Sequence, residues 1–441
     1  MKKVASQAMG LGLKWLGDVS GAEWLDRYGL RERATQVVER GARAGFRTVQ
    51  DAGRRFSPLM KLAAPSRLPK PKEPPALFDL TLTDEQQMTC EMLRRFAEDV
   101  IRPAAREADD ACSTPASLLE ASTELGLLEM ALPEALGGAG AERSPTTSIL
   151  ALEELAFGDL GVALALYAPL SVVNLLVDFG TQVQQERYLS PLAGAGYVPL
   201  ALAVTEPTAG FDPWQLRTQA TRSGEGWLLS GEKRLVPLGG SAELFVVAAR
   251  TEAGTPALFL VERTAEGLTV AADPCMGARA ADLSLLKLDE VRVTDEARLG
   301  GDAGLQAYEA LISRAQVGWA AMAVGASRAV LEYVIPYCNE RIAFGEPITN
   351  RQSVAFAIAD IALEIDGMRL LTQRAASRAE RHEDFRREAY LAALQAGEKG
   401  MQIGSQGVQL LGGHGFTKEH PVELWYRHLR AISLCHGTLY V

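Results

Sequence analysis

Histidine and glycine, two residue types that can serve catalysis or ligand binding, are concentrated near the C-terminal end of the sequence. Four of the five histidines lie between positions 414 and 436, and Gly412, Gly413 and Gly415 form a cluster around the first of them. A neutral imidazole can accept a proton near pH 7, and a glycine-rich turn lets backbone amides approach a phosphate. A helix C-cap explains the glycine cluster equally well, so the cluster alone identifies no ligand.

The spacing of the histidines does not favour a metal site. Metal-binding histidine pairs are usually four residues apart on a helix, with a carboxylate as a further ligand, whereas His414, His420 and His428 are more widely spaced. We interpret these three as loop and helix-surface histidines and predict no metal site. The sequence contains no GxGxxG after a strand and no GxxxxGK[ST], which argues against a Rossmann dinucleotide site and a P-loop.

The composition is that of an ordinary soluble globular protein. The chain has 441 residues, of which 47% are hydrophobic and 23% charged, with a formal net charge of −10. This balance argues against a disordered chain, a collagen-like fibre and a disulfide scaffold. The five cysteines are odd in number and lack CxxC spacing, so we expect a reducing compartment without a disulfide framework or a zinc ribbon.

The charge is divided between a basic N-terminal arm and an acidic body. Residues 1–76 contain 15 Lys and Arg against 7 Asp and Glu, whereas residues 77–441 contain 30 against 48. The spacing from Val38 to Phe56 predicts an amphipathic helix with a basic face, and the proline-rich stretch 65–75 predicts an extended linker.

Two interpretations of the arm are equally supported by its residues. Its basic face suits an anionic membrane surface or an acidic partner, or else the helix docks on the acidic body with its arginines in water. Nucleic acid is not favoured, because no base-reading aromatic residues accompany the charge. No secretory signal is evident, so we expect a cytoplasmic protein that the arm could bring to the inner membrane face.

Three regions follow the arm. Together they must position the histidines and glycines near the C-terminal end. Residues 77–197 show helical patterns that begin with a capping box at Thr83 and Gln86. Residues 198–300 contain short apolar runs between glycine turns, which predict a β-domain. Long helical periodicity returns over residues 301–441, so the plan is α, then β, then α.

The longest uncharged run, residues 160–177, is close to the length needed to cross a membrane. It contains Pro169 and Asn174. We therefore interpret it as two buried helical pieces broken at the proline rather than as a membrane span.

The α–β–α plan and six local motifs together resemble the acyl-CoA dehydrogenase family, over about residues 77–441. Each motif alone is weak, but six in the family's order and spacing are specific. They are PEALGGAG at 133–140 (family PExxGGxG), VTEPTAGFD at 204–212 (VTEPGAGSD), GEK at 231–233 (the start of GxKxWITNG), ER, FG and Q within 340–352 (ERxxFG…Q), QLLGGHGF at 409–416 (QxxGGxGF), and PVE with Arg427 within 421–427 (PVE…RD).

The resemblance implies an α+β fold with an N-terminal α-domain (77–197), a middle β-domain (198–300) and a C-terminal four-helix-bundle domain (301–441). It implies a homo-oligomer that binds FAD between subunits and an acyl-CoA thioester over the flavin. In the family, a glutamate removes the α-proton while hydride leaves the β-carbon for the flavin. Hydrogen bonds to the thioester carbonyl stabilise the enolate-like charge that develops.

Eight residues match cofactor-binding positions of the family. The first two match positions at the flavin ring region, the next five match positions that hold the pyrophosphate and adenine across the subunit boundary, and the last belongs to the C-terminal motif. An arginine suits a phosphate because it is always charged and donates two hydrogen bonds at once. In chain order these residues are Thr205, Gly210, Arg341, Phe344, Gln352, Gln409, Gly413 and Thr438.

The catalytic glutamate of the family is replaced in this sequence. The family's YEGT corresponds to Cys435-His436-Gly437-Thr438, so His436 stands in the base position. Some members carry the glutamate on a helix of the C-terminal domain instead. An ungapped match places that position at Ala315, and a two-residue slip places it at Ser313. Neither is a carboxylate, which leaves His436 as the candidate base.

The flavin side also departs from the family pattern. The family's WIT is Leu235-Val236-Pro237, so a tryptophan at the flavin edge and a threonine hydroxyl are both absent, and the proline has no backbone N–H to donate. The serine that helps to hold the thioester end of CoA is Phe211. We therefore expect that part of the FAD contacts is lost.

Three functions remain open on this evidence. The leading hypothesis is FAD-dependent α,β-desaturation of an acyl-CoA, with His436 as the base. The alternatives are a catalytically inactive subunit that pairs with an active homologue, and a non-catalytic acyl-CoA or flavin-binding scaffold. Retention of Arg341, Phe344, Gln352 and Gln409 favours binding of FAD, or at least of its ADP half.

Overall fold

The N-terminal region of the protein is helical. The computed structural model describes residues 80–140 and 143–441, so the predictions for the arm (1–76) lie outside the described residues. The capping box is confirmed, because Thr83 and Gln86 exchange backbone-to-side-chain hydrogen bonds of 3.1 and 3.2 Å. The helices are α1 (Asp84–Phe96), which a π-helical turn (Ala97–Ile101) joins to α2 (Arg102–Ala111), then α3 (Ala116–Thr123), α4 (Leu127–Ala131), α5 (Pro145–Gly158), α6 (Leu160–Phe179) and α7 (Gln182–Tyr188).

Helix α6 is continuous, so the predicted break at Pro169 is wrong. A proline inside a helix leaves the carbonyl four residues earlier without its usual N–H donor. Here the Tyr197 hydroxyl donates to the Ala165 carbonyl at 2.7 Å and replaces the missing hydrogen bond. The helix is long and apolar enough to cross a bilayer, but 94% of its apolar window is buried inside the protein, as for the core helix of a globular domain.

The middle region is a mixed seven-stranded sheet in the order β1-β4-β2-β3-β7-β6, with β5 paired to β4. Successive side chains of β1 point to opposite faces of the sheet, and both faces are apolar. Leu200 and Leu202 pack in a cluster with residues of α6 and of the long helix that follows the sheet, whereas Ala201 and Ala203 pack within the β-domain. The strands are β1 (Leu200–Ala203), β2 (Gln219–Ser223), β3 (Gly226–Val236), β4 (Leu244–Thr251), β5 (Pro256–Glu262), β6 (Leu268–Ala272) and β7 (Ser284–Thr294).

The C-terminal region is a bundle built around one long helix, α8 (Gly304–Glu340), which packs against α5 and three later helices. The order of helices, sheet and helices confirms the predicted α+β fold class. The remaining elements are the short hairpin strands β8 (Ile342–Ala343) and β9 (Glu346–Pro347) and the helices α9 (Gln352–Glu380), α10 (Arg386–Leu411) and α11 (Val422–Ala431).

Candidate functional site

The segment that carries His436 is tied to the end of β1. The Thr205 hydroxyl accepts a hydrogen bond from the backbone N–H of His436 and donates one to its carbonyl, both at 3.2 Å. Thr438, two residues later, accepts a hydrogen bond from the indole N–H of Trp319 at 3.0 Å. The structure thus brings Thr205, His436 and Thr438 together between the β-domain and α8.

A buried ion pair holds the turn that contains Thr205. Lys233 Nζ donates to Glu206 Oε1 at 2.7 Å and to the Val204 carbonyl at 3.2 Å. Burial lowers the pKa of Lys233 to about 8, against the opposing effect of Glu206. Glu206 also accepts the backbone N–H groups of Arg217 and Thr218, so the family-like residues Glu206 and Lys233 have a structural explanation.

Gly437 is needed where the His436 segment meets β1. Its φ is +61°, and a Cβ at this position would lie 2.7 Å from Val204 Cγ2. We expect Gly437→Ala to lower the free energy of unfolding by about 2–4 kcal/mol, since left-handed backbone and overpacking each cost about 1–2 kcal/mol. Chemical denaturation measures the change. Gly254→Ala is the control, because its φ is +81° but no atom lies within 4 Å of the added Cβ. Equal losses in the two variants would contradict the proposed close packing.

His436 lines a cavity of about 260 Å³ between α8, α10 and the segment after α11. Ala315, one of the two places to which the alternative family base was aligned, lines the same cavity. Most of the other lining side chains are apolar. The structure therefore brings the base position of the C-terminal motif and the ungapped helix position to one space, although 121 residues separate them in sequence.

The imidazole of His436 is available to this cavity. Its ring makes no hydrogen bond with the residues that the structure describes, and it packs edge-on against Phe211 with ring centroids 5.7 Å apart. Burial lowers the pKa of His436 below its ordinary value, and Asp212 opposes this only in part. Burial therefore favours the neutral ring, the state in which it can accept a proton.

The residues that replace the family's WIT offer little to a flavin ring. Leu235 has a φ of +54°, and its N–H donates to Asp273 Oδ2 at 3.1 Å. Val236 and Pro237 are buried, and the proline has no N–H. Gly210, the other predicted ring-region residue, is exposed, with no atom within 4 Å of the place a Cβ would occupy.

The other predicted cofactor residues lie on exposed surface at the far end of α8. Arg341 follows that helix, and its guanidinium forms no hydrogen bond or ion pair with the described residues. Phe344 is 93% exposed and has a φ of +55°. Gln352 begins α9, whereas Gln409 and Gly413 lie at the end of α10, and all three are exposed. A free arginine, an exposed phenyl ring and an open glycine turn fit a phosphate and an adenine.

These residues lie too far from Thr205 and His436 for both groups to contact the same part of a bound ligand. At 1.5 Å per residue, about 33 Å of helix separates Trp319, beside Thr438, from Arg341. One chain therefore presents these residues as two separate groups at different ends of α8.

The sequence did not predict the surroundings of two residues, His428 and Glu398. His428 is not a surface histidine, as had been expected, because it is fully buried and bonded to Asp159 and Ala278. Glu398 on α10 lines the cavity of His436. Glu398 follows Leu394 by four residues and Tyr390 by eight. This helical spacing is the signal that could have placed it on the same helix face.

Family models cover nearly all of the described chain. The model described as acyl-CoA dehydrogenase, N-terminal domain, matches residues 83–195. The models of the middle and C-terminal domains match residues 201–291 and 302–441.

Individual relatives agree with these matches. The mitochondrial short-chain specific acyl-CoA dehydrogenase of Bos taurus is 32% identical over 365 residues, which cover 81% of this chain and 88% of the relative. The short-chain specific acyl-CoA dehydrogenase of Megasphaera elsdenii is 31% identical over 82% of this chain and 96% of its own length. The solved structure of butyryl-CoA dehydrogenase from Megasphaera elsdenii matches with a TM-score of 0.74, at 31% identity, over 82% of this chain and 96% of that one.

Proposed function

The chain belongs to the acyl-CoA dehydrogenase family, and on this premise we propose that it desaturates an acyl-CoA thioester with His436 as the base. The observation that carries this proposal is the single cavity shared by His436 and Ala315. In an apolar space without a carboxylate at either base position, a neutral imidazole is the group suited to take the α-proton.

Removal of the α-proton requires that the imidazole remain neutral and be held in place. Burial lowers the pKa of His436 and so favours its neutral form, and the hydrogen bonds between Thr205 and the His436 backbone hold its segment. Phe211, packed on the ring, keeps water from one side of it. These contacts support a positioned general base, which contributes roughly 10²–10⁴-fold to proton transfer.

We propose that FAD is held chiefly through its pyrophosphate and adenine. Bound FAD supplies the acceptor for the hydride that leaves the β-carbon. Arg341, Phe344 and Gln352 of one subunit, with Gln409 and Gly413, provide the charged and exposed groups for the ADP half. The occupied N–H of Leu235 and the missing N–H of Pro237 leave the ring side with fewer donors. The separation of the two halves along α8 supports an oligomer in which the site is shared.

The visible spectrum and anaerobic bleaching test the proposed function directly. The purified protein should show flavin absorbance, and an acyl-CoA of suitable length should bleach it in the absence of oxygen. A protein that neither contains nor takes up FAD would overturn the proposal. Bound flavin that no acyl-CoA reduces would instead favour the inactive-subunit or scaffold alternatives, which the altered ring side supports.

Arg341→Ala is expected to lower FAD occupancy, because a free guanidinium is removed from the phosphate-binding region. A lost charge-assisted contact of about 1.5–3 kcal/mol weakens FAD binding by about 10- to 150-fold. The measurement is a titration of deflavinated protein with FAD, followed by flavin fluorescence. Arg250→Ala, on an exposed position of β4, is the matched control. Equal FAD affinity in both variants would remove Arg341 from the site.

A further inference from the structure

The mouth of the His436 cavity carries an unusual set of side chains. Tyr390, Leu394 and Glu398 recur every four residues on α10, so they share one face of that helix, and all three line the cavity. All three are exposed. The buried ring of Trp319 lies on the α8 side of the same space. The cavity therefore offers two aromatic rings and one carboxylate.

The carboxylate of Glu398 feels the charge of the neighbouring Lys399 but has no bonded partner in the described part of the chain. It accepts no hydrogen bond there and forms no ion pair. The neighbouring Lys399 is directed to Glu364 at 2.9 Å instead. The cavity has no lysine or arginine in its lining, and Glu398 is its single carboxylate among the described residues. The mouth of the cavity thus carries one carboxylate without a salt-bridge partner beside an apolar interior.

We propose that the acyl group taken into this cavity carries a cation, in the form of an ammonium or a quaternary ammonium group. An unpaired carboxylate attracts a cation, and the faces of tyrosine and tryptophan rings bind ammonium groups well. The apolar lining suits the methylene chain that links such a cation to the thioester. An acyl group that ends in a carboxylate would be repelled by Glu398. This inference rests on the proposed function, since it assumes that the thioester lies beside His436.

The test compares three CoA thioesters of matched length in the FAD-containing protein. They are the 4-(trimethylammonio)butyryl thioester, its uncharged isostere the 5,5-dimethylhexanoyl thioester, and the glutaryl thioester. Binding is measured by calorimetry in the His436→Ala variant, so that the thioesters stay unreacted. We expect the cationic thioester to bind about tenfold more tightly than its isostere, as for a partly desolvated cation–π contact beside a carboxylate, and glutaryl-CoA to bind most weakly. The preference should shrink as salt is added.

Two substitutions assign the preference to the mouth of the cavity. Glu398→Gln, which keeps the side-chain shape, should abolish the preference while leaving the affinity for the uncharged thioester unchanged. Tyr390→Leu should reduce the preference in part. Glu225→Gln, a similarly exposed glutamate in the turn between β2 and β3, is the control and should change nothing.

The outcomes for this inference and for the proposed function are distinguishable. Tighter binding of the uncharged or anionic thioester, or a cation preference that survives Glu398→Gln, would overturn the inference. Bleaching of wild-type flavin by the uncharged thioester would then still support the proposed function. A cation preference in binding without any bleaching would uphold the inference about the cavity and overturn the role of His436 as base.

Discussion

Replacement of His436 by alanine is expected to slow anaerobic flavin reduction by acyl-CoA at least about a hundredfold, because a positioned general base contributes roughly 10²–10⁴. FAD content and thioester binding should change little, since the imidazole makes no hydrogen bond with the described residues. Stopped-flow absorbance measures the rate. Added imidazole should restore part of it, which a purely structural role for His436 would not produce.

Two further variants sharpen this result. The double variant His436→Ala, Ala315→Glu places a carboxylate in the same cavity, so it should reduce flavin faster than His436→Ala alone. His382→Ala alters an exposed histidine away from the cavity and should leave the rate unchanged. An undiminished rate in His436→Ala would refute the assignment of the base.

The pH dependence of the rate follows from the same group. Burial lowers the pKa of His436, and the neutral ring is the active base. The rate of flavin reduction should therefore be constant above the ordinary histidine pKa and should fall as pH decreases through the lowered value. An inflection above about pH 6.5, the ordinary value, would be inconsistent with His436 as the base.

Asp159→Ala is expected to cause the largest loss of stability, about 3–5 kcal/mol, as for other broken buried pairs. The backbone N–H of Ala278 donates to His428 Nδ1 at 3.0 Å, so the proton lies on Nε2 and is donated to Asp159 Oδ2 at 2.8 Å. Asp159 also caps α6 through the Val162 N–H at 2.9 Å. The substitution therefore leaves a buried imidazole N–H and a helix end unsatisfied.

Thermal and denaturant unfolding measure this loss. Asp360→Ala, at an exposed position of α9, is the control and should change stability by less than about 0.5 kcal/mol. A loss in Asp159→Ala that is no larger than in this control would show that the buried pair contributes nothing net to stability.

The acid sensitivity of the protein gives a second readout of the pair. Burial raises the pKa of Asp159, but its interactions with His428 and with the N–H groups of Val162 and Gly161 outweigh burial and lower it. A lowered pKa means that this stabilisation is present above the unfolded-state value, about 3.9, and is lost as pH falls through the folded-state value. The stability difference between wild type and Asp159→Ala should therefore shrink at low pH.

The sequence determined features whose hydrogen bonds or contacts are local or periodic. The Thr83 capping box was predictable because its two residues are three apart. The periodicities of α9 and α10 each reflect one buried helix face, whereas the middle of α8 is buried on all sides. The β-domain followed from short apolar runs between glycine turns. The motifs then identified the family, because their order and spacing along the chain are themselves sequence properties.

Tertiary structure decided the features whose partners are distant in sequence. Pro169 does not break α6, because Tyr197 supplies a hydrogen bond from outside the helix. His428 is tolerated in the interior because Asp159, 269 residues away, accepts a hydrogen bond from its ring N–H. Nothing in the local sequence specifies either partner.

The candidate site likewise combines features that the sequence determined with features that only the tertiary structure decided. The C-terminal motif placed His436 in the base position, but only the packing of α8 against α10 brings Ala315 and Glu398 to the cavity that His436 lines. Hydrogen bonds and helix periodicity act over a few residues, whereas cavities form where separate elements meet. The sequence therefore determined the family and the candidate base, and the tertiary structure decided which side chains surround that base.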